Sequence, residues 1–298
     1  MTTLEEELLI KAKEIEEHGE SNQRKLDSYA KTLLELAEDK NSAFAISALK
    51  DLIINPKLDF VFRMFIFLML KRISLLPKSI AEIETGLYDY MLVDLKNYID
   101  STEMPFLEEE ERQSNKLVIV TNQFIGIGSL ETEEFAKIIQ CIDKYFEQID
   151  EVYIMNSDSL VQEIPLAQKY HVGVVLNPKV KEEIQLILNE YKIFRCKVGY
   201  EEKRELNYLD RLAYFTHYIW KLKPYRVIAL GTTNILAELI NSFMEVFTIA
   251  YDSQNTGQCH TQHIIVLDKE KAMKEGTMDL EEEEYYKKLL DYVLNTPK

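Results

Sequence analysis

The feature that most constrains this chain is a change of residue pattern at Lys116. From that point, short apolar runs rich in β-branched residues alternate with amphipathic stretches of helical period. Such runs separated by helices are typical of a parallel sheet that helices cover on both faces. The sequence therefore predicts an α/β fold, in which a helical N-terminal domain is followed by a Rossmann-like, mostly parallel sheet flanked by helices.

The predicted elements after Lys116 alternate along the chain. The predicted strands are Leu117–Thr121, Glu151–Met155, His171–Leu176, Ile193–Val198, Arg226–Leu230, Val246–Ala250 and Ile264–Leu267. The predicted helices are Glu131–Gln148, Pro178–Tyr191, Asn207–Lys221, Asn234–Phe243 and Asp279–Leu294. Parallel strands with right-handed crossovers bring every strand-to-helix turn to one edge of the sheet, where such folds bind ligands.

The first part of the chain, residues 1–104, shows helical periodicity and no strand-like alternation. Residues 105–115 are polar and acidic, so we expect a linker there, followed by the α/β domain over residues 116–298. One arginine interrupts the apolar stretch Phe60–Leu70. Because an unpaired buried charge is costly, Arg63 is expected to reach solvent or a carboxylate.

Charge and cysteine usage exclude several classes of protein. The chain has 35 Lys and Arg against 51 Asp and Glu, a formal net charge of −16, which disfavours nucleic acid and anionic membrane surfaces as partners. The stretch Phe60–Leu70 is far shorter than the roughly 20 residues that span a bilayer, so no membrane insertion is expected. Three cysteines without a CxxC pair indicate reduced thiols and a cytoplasmic location.

The first candidate site follows the first predicted strand, in the sequence TNQFIGIGS. Gly126 and Gly128 would allow close approach of a ligand to the backbone. The third glycine of a dinucleotide fingerprint is replaced by Glu131, and an acidic helix start disfavours a phosphate. Asn122 and Gln123 are the polar side chains best placed for a neutral ligand such as a sugar. A plain tight turn and a ligand-facing loop both remain open.

The second candidate site is the strand–turn–helix sequence RVIALGTTNILAELI. Gly231 can adopt the φ value that a tight turn needs, and Thr232, Thr233 or Asn234 can cap the helix. No acid occurs in this helix before Glu238, so a polar or anionic ligand is physically compatible with the turn. Capping and binding explain these residues equally well.

Other constellations give no catalytic assignment. Cys259, His260 and His263 invite a zinc interpretation, but the first two are adjacent and no fourth ligand is near in sequence, so no metal is predicted. The sequence also lacks the GK[ST], GxSxG and HExxH motifs. A basic island comprises Arg195, Lys197, Lys203, Arg204 and Arg211. We interpret it as a solvated face paired with nearby glutamates, and a phosphate-bearing partner is the alternative. The catalytic residues stay unknown.

Three segments carry a resemblance to a known family: KLVIVTNQFIGIGS, RVIALGTTNILAELI and VFTIAYDS. With these in place, the second half of the chain resembles the N-terminal Rossmann-like domain of bacterial GT-B glycosyltransferases that carry a helical domain ahead of the first sheet. The resemblance extends over roughly residues 116–270. Many of these enzymes have a histidine in the first strand–helix turn, where this chain has Gly128 and Ser129.

The resemblance implies an acceptor-side half of a glycosyltransferase, with a sugar or glycoprotein as acceptor. In that family a second domain holds the nucleotide-sugar donor, and we expect that domain to be absent from this chain. No cofactor is therefore expected here, and no transferase activity is assigned to this chain by itself. The alternative is a non-catalytic interaction module whose helical domain docks a protein partner. Both interpretations stay open at this point.

Overall fold

A computed structural model describes residues 10, 23–40, 42–74, 81–99, 104–122, 130–157, 179–231, 234–250, 259–267 and 280–296. These residues fall into two compact units, the first ending at Tyr98 and the second beginning at Ile99. No helix in this part of the chain is both long and apolar enough to cross a membrane.

The first unit is built from helices. They are α1 (Gln23–Lys40), α2 (Ala43–Ile54), α3 (Phe60–Ser74) and α4 (Ala81–Ile99). Ser42 caps the start of helix α2, since its hydroxyl accepts a hydrogen bond from the Ala45 amide at 3.3 Å. Among the described residues before Gln113 there is no strand, which agrees with the helical periodicity of this region.

Arg63 has the paired environment that the sequence predicts. Its side chain is only 3% exposed, within the apolar helix α3. The guanidinium forms an ion pair with Asp94 at 2.7 Å and donates a hydrogen bond from Nε to the Ile53 carbonyl at 2.7 Å. The expectation that Arg63 reaches either solvent or a carboxylate is therefore confirmed, and the partner is a carboxylate of α4.

The second unit is a six-stranded sheet with helices. Its elements are β1 (Gln113–Thr121), α5 (Leu130–Tyr145), β2 (Glu151–Asn156), α6 (Val180–Glu190), β3 (Lys197–Glu201), α7 (Tyr208–Leu222), β4 (Pro224–Leu230), α8 (Ile235–Ile240), β5 (Val246–Ala250), β6 (His263–Val266) and α9 (Leu280–Asn295). The strand order is β3-β2-β1-β4-β5-β6, and every neighbouring pair is parallel. The predicted Rossmann-like α/β fold is confirmed.

The strand order places a reversal at the centre of the sheet. The chain moves outward from β1 to β3, returns through α7, and then moves outward from β4 to β6 on the other side. Right-handed crossovers in opposite directions put helices on opposite faces. One face is covered by apolar side chains of α5, α6 and α9, in a single buried cluster with residues of β1, β2, β4 and β5.

Strand β1 begins at Gln113, four residues before the predicted start at Leu117. The segment expected as a linker also packs within the second unit, since the Leu107 amide donates to the Phe243 carbonyl at 2.7 Å. Arg112 is buried and pairs with Glu245 at 3.4 Å. The polar residues of this segment therefore form a short 3₁₀ helix (Glu109–Glu111) and the start of β1, which the Arg112–Glu245 pair holds in place. The three-part domain division itself stays a prediction.

Strand β3 begins at Lys197, whereas the sequence predicts a start at Ile193. The chain turns before the strand: Lys192 has φ of 54°, and the Cys196 amide donates to the Asp143 carboxylate at 2.6 Å. Residues 193–196, expected to open the strand, therefore form a turn that contacts α5. The predicted strand His171–Leu176 lies outside the described residues.

Arg195 is exposed, as expected of the basic island, but its main partners are backbone carbonyls and not glutamates. Its guanidinium donates hydrogen bonds to carbonyls at the end of α5: those of Ile142 (2.8 Å), Asp143 (2.9 Å) and Phe146 (3.1 Å), as well as Ile149 (2.8 Å). Terminal helix carbonyls have no partner inside the helix, so Arg195 acts as a C-terminal cap. Lys203 and Arg204 do pair with Glu201 (3.2 Å) and Glu202 (3.0 Å).

The Arg195→Lys variant is expected to lower the free energy of unfolding by about 2 kcal/mol, because an ammonium cannot reproduce the guanidinium fork over several carbonyls. Urea unfolding followed by Trp220 fluorescence measures this change, since the single tryptophan lies in α7 of the same unit. Arg204→Lys is the matched control, with less than ~1 kcal/mol expected, because a lysine can still pair with Glu202. Equal effects of the two substitutions would contradict the capping role.

Candidate functional site

The candidate site lies at the central reversal of the sheet, between the carboxyl ends of β1 and β4. These strands are neighbours, and their last residues, Thr121 and Leu230, are paired in register. The two turns that the sequence singles out therefore leave adjacent strands at the same edge. In open parallel sheets, ligands bind in the crevice at such a topological switch point.

Asn122 and Gly231 open the two turns. Asn122 follows β1 directly and is half-buried. Gly231 has φ of 84°, the left-handed value that the sequence predicts for a tight turn, and its amide donates to the Ile249 carbonyl of β5 at 2.9 Å. A residue with a Cβ would be strained at this position. The backbone after β4 therefore stays close to the sheet edge.

Asn234 ties the second turn to the first strand. Its side-chain oxygen accepts from the Ala237 amide at 3.1 Å, which caps helix α8. Its side-chain nitrogen donates to the Val120 carbonyl of β1 at 3.2 Å. Both ends of this buried amide thus fix the junction of β1, β4 and α8. The capping interpretation accounts for Asn234, whose contribution to the site is to hold the crevice in shape.

Three further polar residues of this edge were missed by the sequence reasoning. Asn156 ends β2 and donates to the Tyr200 hydroxyl at 2.9 Å, and the next residue, Ser157, donates from its amide to the Thr121 carbonyl at 3.0 Å. Arg211 of α7 donates to the Ser157 carbonyl at 3.2 Å and is 5% exposed. The signal was present for Asn156 and Ser157, since they follow β2 as Asn122 follows β1.

We call the described part of this edge the switch-point cluster; it comprises Thr121, Asn122, Asn156, Ser157, Arg211, Gly231 and Asn234. The other predicted site residues lie outside the described residues: Gln123, Gly126, Gly128, Thr232 and Thr233. The structure therefore brings the predicted Asn122, Gly231 and Asn234 to one edge. Thr121, Asn156, Ser157, Arg211 and Asn234 are buried there, whereas Asn122 is half-buried. The Asn122 amide is therefore the side chain of this cluster that can meet a ligand rich in hydroxyls.

The start of α5, which follows the first turn, carries carboxyl groups. Glu133 accepts a hydrogen bond from the Tyr191 hydroxyl. Glu134 is almost completely buried, and this burial raises the pKa of its carboxyl to about 7. Carboxyl groups at a helix start compete with an incoming phosphate for the positive end of the helix dipole. Because Glu134 is buried in the contact with α9, where it accepts from the Tyr286 hydroxyl, Glu133 is the described carboxyl group of this helix start that disfavours an anionic ligand.

The cysteines and histidines form no nucleophile pair among the described residues. Cys141 and Cys196 are buried, and burial raises the pKa of each thiol to about 12, so neither supplies a thiolate near neutral pH. Cys259 contacts the Thr261 hydroxyl at 3.0 Å, whereas the His263 ring stacks on Phe247 with 4.3 Å between centroids. No group of three potential metal ligands occurs in the described ranges.

No family model and no curated protein sequence matches this chain. Among solved structures, the chain is similar to the crystal structure of the signal recognition particle receptor FtsY from Elizabethkingia anophelis in complex with GDP. The sequences are 12% identical, the alignment covers 100% of this chain and 98% of that one, and the TM-score is 0.26. A TM-score this low carries no argument about fold or function.

The parallel, Rossmann-like α/β architecture therefore stands on the strand order and pairing of the structure itself. The more specific resemblance to GT-B glycosyltransferases is not supported by the similarity to known proteins. It stays a proposal, together with its sugar or glycoprotein acceptor.

Proposed function

We propose that the second unit binds the acceptor of a glycosyl transfer, a sugar or a glycan, in the crevice between β1 and β4. The observation that carries the proposal is that the half-buried Asn122 and the turn residue Gly231 leave the neighbouring strands β1 and β4 at the carboxyl edge of an all-parallel sheet. Sugars are recognised mainly through hydrogen bonds to their hydroxyl groups, and amides serve as both donors and acceptors.

The carboxyl groups at the start of α5 add a constraint on the ligand. Glu131 and Glu133 disfavour phosphate at this turn, so the proposed ligand is the neutral acceptor and not the nucleotide-sugar donor. In the glycosyltransferases that the chain resembles, the donor belongs to a second domain. The proposed role of this unit is accordingly to bind and orient the acceptor, with no catalytic residue assigned.

The first test is binding of the chain to two ligand panels, monitored by saturation-transfer NMR. One panel contains neutral mono- and disaccharides, and the other contains nucleotide-sugars. We expect a subset of the neutral sugars to bind and the nucleotide-sugars neither to bind nor to be turned over. Turnover of a nucleotide-sugar by this chain would contradict the acceptor-side role.

The Asn122→Ala variant is expected to weaken sugar binding about tenfold, the effect of losing one or two hydrogen bonds of ordinary strength. Asn115→Ala is the matched control, since Asn115 lies near the opposite end of the same strand, where it contacts Asp150 at 3.4 Å. Its sugar affinity should equal that of the unsubstituted chain. Equal weakening by both substitutions would contradict the assignment of the carboxyl edge as the binding site.

The alternative is a non-catalytic interaction module whose helical unit binds a protein partner. The sugar-binding measurement distinguishes this alternative from the acceptor proposal. If no sugar of the panel binds, the acceptor proposal fails and the interaction module is favoured. The helical unit presents three large side chains on α4 with substantial exposure, Tyr90 (40%), Val93 (59%) and Tyr98 (58%), which are the positions to substitute in that case.

A further inference from the structure

The contact between α5 and α9 buries four polar side chains. On α5, Glu134 is 1% exposed and Lys137 is 0% exposed; on α9, Glu282 is 3% exposed and Tyr286 is 0% exposed. The Lys137 ammonium lies 2.6 Å from a Glu282 carboxylate oxygen, and the Tyr286 hydroxyl donates to Glu134 at 2.9 Å. Polar groups this deep are costly unless each is satisfied.

Among these four side chains, the charges do not balance when both carboxyl groups are ionised. Lys137 neutralises Glu282, its partner at 2.6 Å, and leaves one carboxyl in excess. Glu134 receives the Tyr286 hydrogen bond on one oxygen, while its other oxygen is buried without a hydrogen-bond partner among the described residues. Balance is restored when Glu134 carries a proton.

The environment of Glu134 favours that protonated form. The largest cause is desolvation, which raises the pKa of Glu134 to about 7. The Tyr286 hydrogen bond and the attraction of Lys137 lower this pKa, and the like charge of Glu282 raises it. Among the residues that the structure describes, the titratable and charged groups facing Glu134 are Lys137 of its own helix and Glu282 and Tyr286 of α9.

We propose that Glu134 is a proton-controlled latch between α5 and the helix α9. With the proton bound, the two helices bury a charge-balanced group. When the proton leaves to solvent, the excess carboxylate faces Glu282, and the contact weakens so that α9 detaches more often. Detachment exposes the apolar side chains that α9 packs on the sheet, which include Tyr286, Leu290 and Val293.

The sign of the pH dependence follows from the direction of the shift. A detached α9 leaves Glu134 in water with its ordinary pKa of about 4.3, so the closed state binds more protons between that pH and about 7. The latch is therefore fully closed below this range and weakens as the pH rises through 7. Linkage predicts that the opening equilibrium of α9 increases about tenfold between pH 6 and pH 8.5.

Hydrogen exchange of the full chain tests the proposal, with rates corrected for the intrinsic pH dependence of exchange. In the unsubstituted protein, the opening constants of α9 amides should rise about tenfold from pH 6 to pH 8.5, whereas those of α7 amides should change much less. In Glu134→Gln, which mimics the protonated carboxyl, the α9 increase should disappear. In Glu284→Gln, an exposed position of α9, it should persist.

A second variant keeps the test informative if Glu134→Gln folds poorly. Tyr286→Phe removes the hydrogen bond that favours ionised Glu134, so the midpoint of the α9 transition should move to higher pH. A tenfold α9 increase that survives in Glu134→Gln would overturn the proposal. So would opening constants of α7 and α9 that rise by the same factor, or a Tyr286→Phe midpoint that does not move.

Discussion

The Lys137→Met variant is expected to lower the free energy of unfolding of the α/β unit by about 3–5 kcal/mol. Lys137 is completely buried, and its ammonium neutralises Glu282, which is 3% exposed. The substitution removes the ammonium that lies 2.6 Å from the buried Glu282 carboxylate, beside a second carboxyl group, that of Glu134. The loss comes mainly from this uncompensated charge, since methionine fills a similar volume.

A neighbouring ion pair provides the control for this prediction. Lys144 also lies on α5 and pairs with Glu283 of α9 at 2.5 Å, but its side chain is 55% exposed. Because exposed pairs contribute little, Lys144→Met should cost less than ~1 kcal/mol. Urea unfolding followed by Trp220 fluorescence compares both variants within one unit. Equal costs for the two substitutions would show that burial does not set the strength of the Lys137 pair.

A double variant separates the charge from the packing. In Lys137→Met with Glu282→Leu, both charges are gone and apolar groups occupy the contact. Replacing a buried ion pair by apolar side chains is often neutral, so most of the single-variant loss should be recovered. A double variant that is less stable than Lys137→Met would mean that the ion pair itself, and not the orphaned carboxylate, supplies the stability.

The second large effect is expected for Arg226→Met at the start of β4, about 3 kcal/mol of unfolding free energy. Arg226 is 2% exposed, and its guanidinium donates to the carbonyls of Val293 (3.3 Å) and Thr296 (3.2 Å) at the end of α9. It also lies 3.5 Å from Glu109 and 3.9 Å from Glu245. The substitution removes the guanidinium donor from the buried Val293 carbonyl and the half-buried Thr296 carbonyl, and it removes one of the cations beside Glu245.

Arg226→Lys is the matched variant for this position, since it keeps the positive charge and loses the planar fork. We expect a loss between that of Arg226→Met and zero. Hydrogen exchange should show faster exchange at the C-terminal end of α9, because two of the lost hydrogen bonds are accepted there. Exchange that quickens only in α7 would contradict this placement of the effect.

The sequence by itself determined the class of the fold and most element positions in the second unit. Strand β5 has the predicted bounds, Val246–Ala250, and Asn207 and Asn234 lie at the starts of helices that the sequence placed there. These features are local, because the apolar period, the β-branched content and the side chains that cap a helix can all be recognised within a short stretch of consecutive residues. The same holds for Gly231, whose positive φ follows from its place after a strand.

The partners of Arg195 and Arg211 could not be predicted from local sequence patterns. Both belong to a stretch that looks like a charged, solvated face, yet Arg195 caps a helix that lies about fifty positions earlier, and Arg211 is buried against the end of β2. Their partners are backbone carbonyls, which every residue carries, so no sequence pattern marks them. The early start of β1 was missed for a related reason, since polar residues enter the sheet through long-range contacts.

The order of the strands in the sheet was determined only by the tertiary structure. The sequence put both candidate turns at the carboxyl edge, because that follows from parallel strands and right-handed crossovers. Whether β1 and β4 are neighbours depends on which way the chain returns after β3, and both directions satisfy the same local pattern. The structure sets β4 beside β1, so Asn122 and Gly231 leave adjacent strands. The polar residues could be identified from the sequence. Their proximity depends on the pairing of β1 with β4, which are separated by more than a hundred residues of chain.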